Sequence, residues 1–385
     1  MSELNPSVIT PAEETPGPAT DQPKIREARI DDYAQIAAVV ERNGLGFKSE
    51  EQWRHLWLDN PIYQRLQDCP IGWVACTPDN RVVGYLGNVV TGFSIEGDPV
   101  TCISSYALAV DPPYRRLAGF IGRRCRNQKN AELHIITSAN SKSFAMAEGP
   151  MTGSRVPVGD WQNSVYWITN YVGFAASALA MKGLPRVAAY PAALVMAAKE
   201  KLAGDEFRAA RELTPLTSWT TFDERFDVFW QELQKAFPHR LLANRSREVL
   251  LWHFKYALFQ GRVWILTAGR GSAVTSYSIF YRFDNPRIGL RRMRLVDFQT
   301  LDGDMQVLAP MLAWAHERCK REGIHMLEAS GFRPEKEAVI ESLHPHRRAL
   351  PNWFYFFWTR NKTLAARLKN PDAWDPCQYD GDSSL

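Results

Sequence analysis

No two of the six cysteines, at positions 69, 76, 102, 125, 319 and 377, form a Cys-x-x-Cys pair. That excludes ribbon-type zinc sites and thioredoxin-like redox centres. Most of the six lie in apolar or helical stretches, which predicts reduced thiols in a cytoplasmic protein. There is no GxSxG elbow, no Walker loop and no GxGxxG after a strand, so serine-hydrolase, P-loop and dinucleotide-binding chemistry find no support. His344-Pro-His346 is an HxH pair with no third ligand in view, and no metal is expected. Residues 1–24 have neither a basic n-region nor an apolar h-region; their Pro, Glu, Thr and Asp content predicts a disordered leader. The longest apolar run, Val187–Ala198, contains Pro191 and is too short to cross a bilayer. The net charge of +4 is too mild to argue for nucleic acid, no RNA-binding motif accompanies it, and no DNA partner is expected.

What is present is apolar volume and a repeated plan. A chain of 385 residues, 45% hydrophobic, with thirteen Trp and nineteen Phe, exceeds one ordinary core and suits two domains. From Ile25 the order is helix, helix, three strands joined by tight turns, helix, strand, short helix, strand. The turns are Pro78-Asp79-Asn80 and Glu96-Gly97-Asp98, which argue for antiparallel pairing. From Phe222 the same order returns. Trp73 and Trp264 open the matching hairpins, and His134 and His325 open the matching late strands, at one common offset. The predicted organisation is a leader (1–24), a first domain (25–172), a helical connector (173–215), a second domain (216–362) and a tail (363–385). Within the connector, residues 174–202 suit either helices packed between the domains or an amphipathic helix lying on a membrane.

The corner VDPPYRRLAGFIGRR, Val110–Arg124, joins a strand to a basic helix. Arg115, Arg116, Arg123, Arg124, Arg126 and Lys129 supply six cations with no acid among them, and Ala118 and Gly119 are small. A helix start with small residues and guanidiniums is suited to a phosphate; an ordinary turn before a solvated helix fits the same residues. The corresponding stretch of the second half, TLDGDMQ, carries Asp302 and Asp304 and no arginine, so it should repel phosphate.

This element order and this corner resemble the GNAT superfamily of acyl-CoA N-acyltransferases, in a tandem form like that of bacterial exopolysaccharide and cell-envelope acyltransferases, the WDPCQYDGDSSL tail included. The resemblance implies an α+β fold of two GNAT-like domains, each a mixed, largely antiparallel sheet flanked by helices. It implies that acetyl-CoA or another acyl-CoA is the co-substrate. The coenzyme would lie along Leu108, Ala109 and Val110, over Arg115, Arg116, Leu117, Ala118, Gly119, Phe120 and Ile121, and beside Asn140 and Ser143. One small residue of the family's corner pattern is missing here. The tyrosine that the family often carries after the late strand as a proton donor is absent too, which leaves Tyr106 and Glu148 as catalytic candidates beside core and surface roles. The implied activity is N-acyl transfer to an amine of a sugar, glycan or envelope precursor, with the second domain closing the acceptor side. Two alternatives stay open: an aminoacyl-tRNA-dependent transferase of the peptidoglycan-bridge type, and an inactive scaffold that binds a ligand or partner.

Overall fold

The computed structural model describes residues 22–66, 68–139, 153–203, 207–212, 215–270, 273–350 and 354–385. Largely apolar runs form two mixed sheets. The first runs β1 (Lys24–Glu27), β2 (Gly72–Cys76), β3 (Val82–Ile95), β4 (Asp98–Val110), β5 (Leu133–Ala139), β15 (Phe354–Thr359) and β6 (Ser154–Arg155), with β9 (Leu242–Ala243) paired to β3. The second runs β8 (Thr217–Trp219), β10 (Val263–Arg270), β11 (Ala273–Arg282), β12 (Arg292–Thr300), β13 (Met326–Ala329), β7 (Asn163–Ile168) and β14 (His346–Ala349). The two strand orders correspond position for position. Both β3–β4 and β11–β12 are antiparallel, and both β4–β5 and β12–β13 are parallel.

The correspondence includes an exchange of strands. The apolar VYWI of β7 follows the first half in sequence but pairs with β13 in the second sheet. The aromatic β15 belongs in sequence to the second half but pairs with β5 in the first. Each sheet is thus completed by a strand from the other half. Tyr355, Phe356 and Phe357 of β15 are buried there, as an aromatic run with no polar alternation requires.

The helices follow the local signals. Ser49 Oγ accepts from Gln52 N at the start of α2 (Glu50–Leu58), a side-chain cap on an otherwise unpaired donor. Asp32, before α1 (Tyr33–Arg42), is held by Arg26 and by Arg29 N. The hairpin turn at Glu96 and Gly97 has both residues in the left-handed region, φ 55° and 84°, which suits a tight two-residue loop. The corner helix is α3 (Ala118–Arg126), and α4 (Tyr171–Met181) and α5 (Ala189–Ala203) fill the connector. Helices α6 (Arg225–Ala236), α7 (Arg247–Phe259) and α8 (Leu308–Arg321) are the second half's counterparts of α1, α2 and α3. One apolar cluster extends from Phe93, Cys102 and Ile135 of the first sheet through Phe226 and Tyr277 to Trp374 and Tyr379 of the tail. All six cysteines are free and buried.

The tail is interior. Lys336 Nζ donates to both carboxylate oxygens of Asp375 (2.7 and 2.9 Å) and to Phe298 O. Arg245, itself buried, makes a two-pronged pair with Asp297 (2.8 and 3.1 Å), and Cys377 and Asp380 pack beside it. Burial raises the Asp380 carboxyl to about 7 from an ordinary 3.8, against the pull of Arg245 and of hydrogen bonds from Cys377. The folded protein therefore holds this proton more tightly than the unfolded chain, so Asp380 lowers stability progressively between pH 3.8 and about 7, and no further above. Asp380→Asn should remove that slope, more than about 1 kcal/mol across the window, in urea midpoints measured against pH. An unchanged slope would show that Asp380 is ionised throughout.

Candidate acyl-coenzyme site

Strands β4 and β5 pair in parallel only from Cys102–Leu133 to Ser104–Ile135. Beyond Ser104 they part. From Ser105 to Val110, β4 keeps its partner β3 but has no strand on the other side among the described residues, so its outward backbone groups line a fork. The ladder slips between Tyr85 and Gly87, where Ala107 is left-handed at φ 53°. Such a bulge bends a strand away from its neighbour. Gly87 is needed there, since a Cβ would stand 2.6 Å from Tyr85 Oη and 3.0 Å from Tyr106 O. Leu108, Ala109 and Val110, expected along the coenzyme, lie on this edge of the fork.

Ser105 and His134 face each other at the base, with Oγ and Nε2 2.8 Å apart. Burial, with help from Arg126, holds His134 at about 4, so it is neutral at pH 7. Ser104 Oγ is buried without a hydrogen-bond partner. The tail passes here: a Cβ on Gly381 would meet Thr137 Oγ1 at 2.5 Å and Ser104 Oγ at 3.0 Å. Asp382 accepts from Thr137 Oγ1 (2.8 Å) and Ser138 Oγ (2.7 Å) of β5. Tyr106 lies beyond, in an aromatic group with Tyr33, Phe47 and Tyr85 and the side chain of Leu385. Burial pushes its phenol well above the ordinary range, and its hydroxyl has no hydrogen-bond partner among the described residues.

The corner differs from the expected open helix start. Pro112 and Pro113 initiate a 3-10 turn, Pro112–Leu117, continuous with α3. Two adjacent prolines preset the backbone for such a start. Tyr114 N donates to Asp111 O, and Ala118 N donates to Arg115 O. The Ala118 amide is thus turned inward, and side chains form the outward surface instead. Arg115, Arg116, Arg123 and Arg124 are exposed, Leu117, Ala118 and Gly119 are half-buried, and Ile121 is buried against the first sheet. Phe120 is 51% exposed with Arg123 stacked on its ring at 4.4 Å. Asp111 is the nearest acid in sequence, and it is engaged by Arg42 (2.9 Å) and Asn43 (3.3 Å) at the end of α1. Asn140, Ser143 and Glu148 lie outside the described residues.

The second half repeats the fork and not the corner. Strands β12 and β13 pair from Arg292–Met326 to Arg294–Glu328 and then separate. Beyond that point Asp297 of β12 is paired with Arg245 and approached by Cys377 of the tail, and Phe298 O accepts from Lys336. At the corner, Asp304 accepts from Gln306 N and Asp302 accepts from Thr300 Oγ1, so carboxylates already cap that turn. Asp302→Ala combined with Asp304→Ala should leave acyl-CoA affinity within about twofold in calorimetry. A larger loss would move the phosphate site to the second half.

Sequence reasoning missed the cavity beside the first fork. It holds about 160 Å³ and is lined by Lys48 and Gln52 from the first half, His253, Tyr256 and Arg262 from the second, and Ser384 and Leu385. No aspartate or glutamate lines it. Burial and the Arg262 charge push the Lys48 ammonium down, against the pull of Asp382. Burial, then the Lys48 charge, lowers His253 to about 3, and its Nε2 sits 2.8 Å from Ser384 Oγ. These residues share no motif, and only their meeting across the two halves marks them.

No protein-family model matches the chain, and no curated protein matches it in sequence. Solved structures do. Saccharomyces cerevisiae N-myristoyltransferase with bound myristoyl-CoA superposes with a TM-score of 0.56 at 11% identity, over 90% of this chain and 81% of that one. The two proteins share one fold. A conserved protein of unknown function from Enterococcus faecalis, described as a probable N-acyltransferase, matches with a TM-score of 0.53 at 11% identity, over 88% of this chain and 72% of that one. The shared fold takes in both sheets, and the α+β class that the resemblance implied holds. Among the described residues no group of His, Cys, Asp or Glu is placed to hold a metal ion.

Proposed function

We propose that this chain is an acyl-CoA-dependent N-acyltransferase whose two halves are copies of one GNAT-like unit, with the coenzyme site in the first. The observation that carries the reading is the asymmetry of the two forks. Both sheets open at equivalent places, but only the first opens beside a basic corner whose one acid, Asp111, is already paired with Arg42. In this reading the pantetheine lies along Ser105–Val110 of β4, and Arg115 and Arg116 hold the phosphates through their side chains. The thioester then sits near Tyr106. The acceptor amine enters from the side of Lys48 and Gln52, attacks the thioester carbonyl, and loses a proton as the new C–N bond forms and the C–S bond breaks. The departing thiolate takes a proton, and the un-ionised Tyr106 phenol is the candidate donor. Holding the two reactants together supplies much of the acceleration for such a transfer.

We further propose that the acceptor is an amine of a sugar, glycan or cell-envelope precursor and that the protein works in the cytoplasm. Calorimetry with acetyl-CoA and longer acyl-CoAs tests the reading. Binding of at least one, followed by turnover with an amine panel, is the expected result. If the folded protein binds none of them, the reading fails. Salt-sensitive binding of charged tRNA instead would favour the aminoacyl transferase, and coenzyme binding without any turnover would favour the scaffold.

A further inference from the structure

The connector carries a feature that the second half does not repeat. After β7 the chain makes a helical hairpin, α4 and α5, before β8 begins, whereas β15 is followed only by a short helix, Lys362–Arg367. The hairpin packs on itself through small residues, Ala175, Ala189 and Ala193 among them, as a cluster separate from the main core. Its root is fixed. A Cβ on Gly173 would meet His325 at 2.3 Å, Ser177 Oγ lies 3.4 Å from His325 Nδ1, and Phe174 stacks on Tyr166 at 5.6 Å.

The far end is apolar and uncovered. Met181 is 68% exposed, Leu184 50%, Val187 81%, Tyr190 68%, Leu194 72% and Val195 62%. These six account for nearly half of the large hydrophobic side chains exposed among the described residues. Met181 and Leu184 flank the turn at Gly183–Pro185, and Val187, Tyr190, Leu194 and Val195 continue along the outward side of the second arm. From Tyr171 to Ala198 the sequence has no aspartate or glutamate, so this apolar tip carries only positive charge, which suits an anionic lipid surface. The charges of the hairpin agree. Lys182, Arg186, Lys199 and Lys201 are basic, and Glu200 is the single acid. No helix here is long and apolar enough to cross a membrane.

We propose that the tip of the α4–α5 hairpin inserts into the interfacial layer of an anionic lipid bilayer, with the Lys182 ammonium at the headgroups. Apolar side chains at this depth gain from leaving water, Tyr190 suits the headgroup level, and lysine stems reach back to the phosphates. The inference does not depend on acyl transfer.

The test is cosedimentation of the full chain with vesicles of phosphatidylcholine, with and without phosphatidylglycerol, alongside light scattering for oligomeric state. Binding should be strong only with the anionic lipid. Val187→Glu with Leu194→Glu should lower the partition coefficient at least tenfold. Both side chains are mostly exposed, so the melting temperature should stay unchanged. Lys182→Glu should cost about fivefold, on anionic vesicles only. Absence of vesicle binding, or equal binding by the double variant, overturns the proposal. So does a dimer of the parent chain, unbound to lipid, that the double variant splits; the tip would then be a contact between copies.

Discussion

Arg115→Ala combined with Arg116→Ala should weaken acyl-CoA binding at least tenfold and leave the fold intact. Both side chains are exposed on the 3-10 turn, and neither has an ion pair among the described residues. Nothing in the folded protein therefore depends on them, whereas a pyrophosphate placed over the corner would. A charge-assisted hydrogen bond is worth about 1.5–3 kcal/mol when well formed. Exposure and salt reduce that figure, so tenfold is the lower bound for the pair, and the loss should shrink as ionic strength rises. Titrations at low and high salt, with circular dichroism as the control for folding, decide the matter. Unchanged affinity would mean that the phosphates bind elsewhere. Because the Ala118 amide is already engaged, the arginines carry more of the expected anion binding than the backbone does.

Glu328→Ala should lower the free energy of unfolding by about 3–5 kcal/mol, the cost of leaving buried cations without their partner. Glu328 is 1% exposed on β13. It accepts from Ser164 Oγ of β7 (2.7 Å), from Arg294 of β12 (3.2 Å) and from Arg348 of β14, and Arg292 stands 3.2 Å away. Burial alone would raise its carboxyl, but the charges of Arg294, Arg292 and Arg348 outweigh that and hold it at about 2. The folded value lies below the unfolded one. The contribution is therefore complete above pH 4.5 and is lost as pH falls toward 2. Urea unfolding at pH 7 should show the full loss in the variant, and the difference from the parent should narrow on acidification. A loss under about 1 kcal/mol would mean that the arginines are solvated well enough without it.

Much of the fold was legible because its signals are local. The tight turn at Glu96-Gly97, the cap at Ser49 and the apolar runs of β2, β3 and β4 each need only neighbouring residues. The shared offset of the Trp73–Trp264 and His134–His325 pairs reflects equivalent strands in the two sheets. What was not legible depends on distant partners. Hydrophobic pattern identifies VYWI and WFYFFW as strands but does not name the strand beside each, so the exchange of β7 and β15 could not be read. The tail, from Trp374, reads as polar and terminal. It is buried because Lys336, Thr137 and Ser138 donate to its carboxylates and Arg245 donates to Cys377. The corner's cations were legible as a run, while the inward turn of the Ala118 amide follows from how two prolines set the chain. Lys48 and Arg262 come from opposite halves and have no motif at all.

The strand exchange has a consequence for biosynthesis. Strand β5 leaves the ribosome with one edge bare, and the strand that covers it, β15, is made about two hundred residues later. At usual synthesis rates that delay is on the order of tens of seconds. During it the first half cannot close its sheet, and the edge of β5 is open to any extended chain nearby. The first half is then a nascent segment with an unfilled place, which the last part of the message completes. The stability of the finished molecule gives such an edge no protection in the interval.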